Sequence, residues 1–543
     1  MDNKRLIIFL ILSFVILTLW DSWERHHAPQ AVNLSQLGNS SNQDNVPGAP
    51  AKAAPSVDSV TENLTVASGQ RLHIKTDLLN AVIDTQGGDL RRLELTQHHA
   101  TGDKSKNFVL LDDSQMPKKV YISQTGLIGD DLPNHKSLYT AKASEYDLAD
   151  NSDKLTVRLS WDGGKGVQVD KVYTFHRGSY VVDLNYEIKN GSTTKLEPWV
   201  YYQFLHDSIP PPKAMMQTQT FTGAAYYTNA AKYKKLTFDD MNKADLSQSA
   251  KDGWIGIVQH YFASTWLPQN GVDREYYTKH LNGTLYAVGT KFSVGSIAPG
   301  ATVDVGARFF SGPQDQTHLK AVAEGMDRTV DYGHLYVIAE PLFWVLSEIQ
   351  KLVHNWGAAI ILLTILIKLV FYPLSAASYR SMAQMRKLAP RLQSMKERYG
   401  DDRAKLQQAM MELYKKEKIN PMGGCLPILV QIPVFISLYW VLQGSIELRQ
   451  APFVLWITDL SAPDPYYVLP VIMAATMILQ TRLNPTPPDP IQAKVMMIMP
   501  VVFSVFFFFF PAGLVLYWLV NNILSILQQW HINRTIDGGR AAA

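Results

Sequence analysis

Polar and apolar positions follow two different rules along this chain. From about Leu64 to Gly312 they alternate with a period of two, whereas residues 341–530 are dominated by long apolar runs. In the first region KLTVRLSW puts Leu155, Val157, Leu159 and Trp161 on one face, and KVYTFHRGSYVVDLNYEIKN continues with Val172, Tyr173, Phe175, Val182, Leu184 and Tyr186. Such alternation between Gly- and Asn-rich turns predicts antiparallel sheets packed face to face, and about 250 residues suits one large sandwich. The tract IPPPKAMMQ reads as a stiff loop, because its prolines cannot join a ladder.

In the second region Leu342, Val345, Leu346, Ile349, Leu352 and Val353 recur at helical spacing opposite Glu348 and Lys351. That pattern fits a helix lying at a membrane interface, or a soluble docking helix. The run Trp356–Tyr372 follows, which as a helix rises about 25 Å, close to the hydrocarbon thickness of a bilayer. Four more apolar segments come after it: Leu426–Leu442, Tyr466–Leu479, Val495–Phe510 and Leu514–Leu527, the last two joined by the turn Pro511–Gly513. At the amino end Lys4 and Arg5 precede the apolar run Leu6–Trp20, and no small-x-small site follows Trp20, Asp21, Ser22 and Trp23. An uncleaved anchor over residues 1–23 is expected there rather than a cleaved signal peptide, and residues 24–63 read as a flexible linker. The total is six crossings.

Charge orients them. Residues 374–420 carry 11 Lys or Arg against 5 Asp or Glu, whereas the loop 444–465 carries Arg449 against Glu447, Asp459 and Asp464. The positive-inside rule puts the first stretch in the cytoplasm and the second outside. Both termini then fall in the cytoplasm and the 64–315 domain outside.

Lys368 is the most informative residue of the apolar half, since every neighbour within three positions is apolar. A lysine in lipid is costly, so it snorkels to the interface or faces a polar cavity, and sequence leaves both open. Thr364, Gln431, Ser437, Thr476, Gln480, Asn521, Asn522, Ser525 and Gln528 lie in or near the other spans. Each alone serves helix packing; together they are enough to line a hydrated recess.

In the cytoplasmic stretch Met382, Met385, Leu388, Leu392, Met395 and Tyr399 form one seam, and Leu406, Met410, Leu413 and Tyr414 form a returning one after Gly400, Asp401 and Asp402. This predicts a helical hairpin with Asp401 or Asp402 capping the second arm, and with Pro390 kinking or resetting the first. The methionines pack the arms together or offer an adaptable surface to an apolar client. Arg386, Lys387 and the other basic residues meet lipid, RNA or solvent.

Composition adds little, because 46% hydrophobic and 18% charged residues average two unlike halves and the net charge is +3. Cys425 is the only cysteine, which excludes an intrachain disulfide. His176, His206 and His260 are isolated and read as edge or surface residues, and WDGGKGVQ lacks a phosphate-loop signature and reads as strand–turn–strand. No catalytic, cofactor-binding or metal-ligating residue is assigned, and no cofactor is expected. A cationic recess under a basic hairpin suits the polar flank of a segment entering the membrane. A solute transporter, or an anchored envelope enzyme with a sugar-binding outer domain, remain alternatives.

The stretches FYPLSAASYRSMAQMRKLAPRLQSMKERYGDD, KINPMGGCLPILVQIPVF, ELRQAPFVLWITDLSAPDPYYVLPVIM and FFFFPAGLVLYWLVNNILSILQQ resemble the YidC/Oxa1/Alb3 family of membrane protein insertases in its Gram-negative bacterial form. The resemblance implies a polytopic α-helical membrane protein of six transmembrane helices, with a periplasmic β-supersandwich over 64–315 and connecting and interfacial helices over 316–352. A five-helix core over 353–530 follows, including the cytoplasmic hairpin 374–420, and then a short tail over 531–543. It implies residence in the bacterial inner membrane and a non-enzymatic insertase and chaperone activity. Nascent membrane proteins are the implied clients; SecYEG with its accessory subunits, the ribosome, the SRP receptor and membrane lipids are the implied partners. The family's groove charge is usually arginine; here Lys368 keeps the charge without the planar fork.

Overall fold

The computed structural model describes residues 68–114, 119–209, 220–281, 283–400, 402–417, 426–483 and 490–538. The expected anchor, the linker and the tract IPPPKAMMQ, apart from Ile209, lie outside them. The described residues divide after Val330 into two compact units.

The first unit is built from two large sheets. One runs Ser247–Ala250, Arg274–His280, Leu285–Ser293, Trp199–Asp207, Tyr121–Ile128, Asp89–Ala100, Leu79–Asp84, Arg71–Lys75 and Glu145–Asp147, with Asp103–Leu111 also paired to Asp89–Ala100. The other runs Lys232–Leu236, Gly223–Thr228, Trp254–Val258, Phe262–Pro268, Thr302–Pro313, Val181–Asn190, Val167–His176, Lys154–Asp162 and Thr140–Ala141. Neighbours are antiparallel except Arg71–Lys75 with Glu145–Asp147. The glycines of WDGGKGVQ turn Lys154–Asp162 into Val167–His176, with Gly164 and Gly166 at positive φ.

Period-two burial holds: Val157, Leu159, Leu184 and Tyr186 are fully buried, although Trp161 is only half-covered. Aromatic rings fill the space between the sheets, with Tyr202 4.9 Å and Phe309 5.1 Å from Trp266 by ring centroid. Each such side chain contributes about 1.5–3 kcal/mol by leaving water. Two short helices complete the unit, α1 (Phe238–Lys243) and α2 (Gln316–Val322). Asp315 caps α2 by accepting from the Thr317 and His318 amides.

His206 departs from its expected surface place. Its strand is buried from Val200 to Asp207, and the ring lies 4.5 Å from Tyr121 and 5.5 Å from Phe238. A central strand covered on both faces hides outward positions that alternation assigns to solvent. Burial lowers the imidazole pKa below its ordinary value.

Lys171 is the larger surprise. It occupies an inward position of Val167–His176 and is fully buried. Its Nζ donates to the Gly87 carbonyl at 2.8 Å and lies 3.5 Å from Asp89 Oδ1, on the opposite sheet. Tyr139, Tyr173 and Tyr186 surround the ammonium, with ring centroids 5.6–5.9 Å away. The lysine stem crosses the Gly87–Gly88 turn, where both φ are positive and a Cβ on Gly88 would meet Lys171 Cδ at 3.0 Å.

The second unit is helical: α3 (Tyr336–Val353), α4 (Trp356–Val370), α5 (Tyr372–Tyr399), α6 (Arg403–Lys416), α7 (Leu426–Gly444), α8 (Val468–Leu483), α9 (Pro490–Phe507) and α10 (Ala512–Gly538). Helix α10 is the hub, packing on α4, α5, α7 and α8; α3 packs on α4 and α7. Asn355 caps α4 by accepting from the Ala358 amide at 2.9 Å. Pro373, at the start of α5, has no amide to give the preceding helix, so the chain breaks at Phe371 and restarts. Among the described residues no single helix is long and apolar enough to cross a membrane. The pair Trp356–Val370 and Tyr372–Leu388, bent by 67°, passes by length and composition.

Helix α3 corrects the expected seam. Its buried residues are Ala339, Phe343 and Leu346, while Leu352 is 81% exposed together with Val337 and Trp344. The helix is apolar on two faces, and the one turned inward is centred on Phe343. Pro390 lies inside α5, which continues through it to Tyr399.

Candidate functional site

Lys368 sits in the last turn of α4, half-buried, and its Nζ donates to Ser525 Oγ of α10 at 2.7 Å. Ser525 in turn donates to the Asn521 carbonyl one turn earlier, and the Asn521 side-chain oxygen accepts from Gln431 Nε2 of α7 at 2.8 Å. Four of the residues singled out from sequence thus form one hydrogen-bonded chain across α4, α10 and α7. Gln528 makes a separate tie, with Nε2 3.4 Å from the Tyr372 carbonyl at the start of α5.

The remaining candidates stand apart from that chain. Thr364, one turn before Lys368, is buried and donates to the Ile360 carbonyl of its own helix at 2.6 Å. Ser437 and Thr476 likewise bond back to Pro433 and Met473. Gln480 lies half-buried one turn beyond Thr476 on α8. Asn522 is buried, with its Nδ2 unpartnered among the described residues. Gln529 was not among the candidates, yet it is buried and reaches the Leu483 carbonyl at 3.3 Å. Its spacing of seven from Asn522 and four from Ser525 marks the same stripe of α10.

The hairpin arms α5 and α6 meet around Leu388 and Leu392, and Met385, Met410, Leu413 and Tyr414 pack on that pair. Met385 and Met410 therefore join the arms. Met382 and Met395 are half-buried, and Arg386 and Lys387 are exposed. Met395 also lines a cavity of about 480 Å³ with Arg398, Tyr399, Leu413 and Lys416. Asp402 is the residue that caps α6, accepting from the Lys405 amide at 3.1 Å. Arg391 ties the arms with a 2.8 Å bond to Glu417. Leu392→Ala is expected to loosen the hairpin by about 2–4 kcal/mol, and Arg391→Ala by less than about 1 kcal/mol. Hydrogen exchange along both arms in the full chain measures the difference.

An outer-domain enzyme would require a concave site with convergent carboxylates. The sandwich has a recess of about 590 Å³ whose lining includes Asp183, Asp252 and Glu324. Asp183 pairs with His176, Asp252 accepts from the Asn229 amide, and Glu324 accepts from the Tyr227 hydroxyl at 2.8 Å.

Comparison with known proteins agrees with the two-part architecture. Residues 71–345 match the family model of the YidC periplasmic domain, and residues 348–539 match that of the 60Kd inner membrane protein. Together the two matches define a bacterial inner-membrane protein that carries a periplasmic domain. A membrane protein insertase YidC of Methylobacillus flagellatus is 61% identical over 100% of this chain and 99% of its own length. That of Aromatoleum aromaticum is 52% identical over 100% of both chains. A solved structure of an active YidC insertase with its first transmembrane domain resolved covers 85% of this chain and 92% of its own at 19% identity, with a TM-score of 0.39. The chain belongs to the YidC family of membrane protein insertases.

Proposed function

We propose that this chain inserts and helps fold inner-membrane proteins, receiving the polar flank of a client segment at Lys368. The observation that carries the reading is the chain of hydrogen bonds Lys368–Ser525–Asn521–Gln431 across three helices. An ammonium has three donors, and among the described residues Lys368 uses one, with no carboxylate in ion-pair range. Two donors are thus left for a client carboxylate or carbonyl. The amides of Gln431 and Asn521 can exchange their mutual bond for one to the client backbone, which lowers the cost of moving polar groups past apolar helices. No nucleotide is involved in this reading, so apolar partitioning and the membrane potential drive the step.

The topology of this proposal has six crossings, both termini and the α5–α6 hairpin in the cytoplasm, and the sandwich in the periplasm. Its partners are the ribosome, the SRP receptor, SecYEG with its accessory subunits, and lipid. The hairpin then handles clients through Met382, Met395, Arg386 and Lys387, which its own packing leaves partly or wholly open. Site-specific crosslinkers at Ile367, Gln431 and Gln528, all partly exposed beside Lys368 or its hydrogen-bonded partners, are expected to capture a ribosome-bound nascent membrane protein. A folded protein giving no nascent-chain adduct from any of the three positions overturns the reading.

A further inference from the structure

We propose that the connector between α7 and α8, residues 445–467, is a lipid-binding edge whose tip, Val454–Leu455, enters the interfacial layer of the bilayer at the end of the core opposite the hairpin. This rests on the membrane orientation proposed above and adds a contact that orientation does not require.

Leu455 breaks two rules at once. It is 83% exposed, and its backbone is left-handed at φ +54°, a conformation that disfavours a branched side chain. Gln450 and Tyr467 of the same connector are also left-handed, at φ +59° and +57°. The strain is held by a rigid platform. Asn355, at the start of α4, donates to the Phe453 carbonyl at 3.0 Å, and a Cβ on Gly357 would fall 2.1 Å from the Phe453 ring. The Phe453 amide bonds the Ile457 carbonyl and the Ile457 amide bonds the Val454 carbonyl, closing a tight turn. Asp459 receives the Gln450 amide, while Ala451, Ile457 and Leu460 are buried beneath. The platform buries these three and leaves Val454 and Leu455 turned outward, 50% and 83% exposed. The turn holds the backbone but leaves the Leu455 side chain uncovered among the described residues, so an apolar surface off the molecule is what it fits.

The chemistry of the tip selects lipid. From Gln450 to Thr458 there is no charged side chain, which leaves nothing to recognise an acidic or basic partner. Tyr466 is 70% exposed and its ring meets Trp456 edge-on at 6.4 Å, while the Trp456 indole donates to Asp464. Amphipathic rings of this kind settle at headgroup level. Apolar side chains are exposed again on α8, at Val471, Ile472, Ile478 and Leu479.

The test uses the full chain in phosphatidylethanolamine–phosphatidylglycerol vesicles, in a Cys425→Ser background. An environment-sensitive fluorophore is placed on Leu455→Cys, and in a parallel sample on Val501→Cys, exposed on α9. The expected result is loss of most emission at Leu455→Cys to a lipid spin-labelled near the headgroup, with aqueous iodide having little effect. Val501→Cys should respond to lipid labelled deep in the acyl chain. Iodide quenching at Leu455→Cys, with Val501→Cys still quenched by lipid, overturns the lipid edge alone. Failure of lipid to quench either label overturns the membrane orientation as well. Shielding of Leu455→Cys from both quenchers overturns the proposal in favour of a protein covering the tip. In Leu455→Asn, which tolerates the backbone and removes the apolar side chain, a label on Val454→Cys is expected to pass from lipid to iodide quenching with thermal unfolding in detergent unchanged. Unaltered lipid quenching in that variant overturns the role of Leu455.

Discussion

Lys171→Ala is expected to destabilise the sandwich unit by about 3–5 kcal/mol, because it leaves the Asp89 carboxylate buried without its ammonium. In a unit of this size that is a fall of roughly 10 °C in the unfolding midpoint. The double variant Lys171→Met, Asp89→Asn should recover only part of the loss, since buried Arg91, 3.8 Å from Asp89, then loses that carboxylate. The wild type also has a predictable pH dependence. Burial, opposed by the pull of Asp89, lowers the Lys171 amine from 10.5 to about 8. Between those two pH values the unfolded chain still holds a proton that the folded chain has released, so folding stability rises with pH there. Below about 8 both states carry the proton and the burial penalty is felt in full. Burial raises the Asp89 carboxyl from 3.8, which acts in the opposite sense: stability falls as pH rises from 3.8 through its shifted window. Thermal unfolding of the full chain between pH 7.5 and 10.5, with and without Lys171→Met, measures the alkaline limb. A rise that persists in Lys171→Met rejects the assignment.

Lys171 also marks the limit of reading this fold from sequence. The alternation that exposes the sandwich is carried by Val157, Leu159, Leu184 and Tyr186, all local to their strands. Lys171 keeps step with Val169 and Tyr173 on the inward face, but a lysine in phase with apolar neighbours is normally assigned to an interruption of the pattern. Its carboxylate, Asp89, lies 82 positions earlier on the other sheet, and nothing short of the sheet pairing brings them together. His206 escaped for a related reason, since alternation presumes one wet face and its strand has none. Lys368 was legible because its surroundings are uniformly apolar, and Gln431, Asn521 and Ser525 because polar groups are rare in such runs. Which of them touch was not legible, since Ser525 is 157 residues from Lys368. Helix α3 shows the converse failure: with apolar residues on both faces, spacing alone does not choose Phe343 over Leu352 as the inward position.

Lys368→Leu is expected to reduce insertion of clients whose translocated flank is acidic by about tenfold, and of neutral-flank clients by much less. The difference corresponds to one charge-assisted hydrogen bond of about 1.5 kcal/mol or more. Ser525 loses its incoming donor in that variant but keeps its bond to the Asn521 carbonyl, so α10 is not left with an unpaired hydroxyl hydrogen and the core should stay folded. Lys368→Arg should retain the discrimination, because charge rather than the planar fork attracts the flank. Ser525→Ala frees the ammonium from its present acceptor; acidic-flank insertion should then hold or rise while thermal stability drops slightly. The measurement is protease protection of matched acidic and neutral clients in reconstituted vesicles carrying each variant. If Lys368→Leu lowers both clients equally, charge attraction at this position is rejected and Lys368 is left with its bond to Ser525, a tie between α4 and α10.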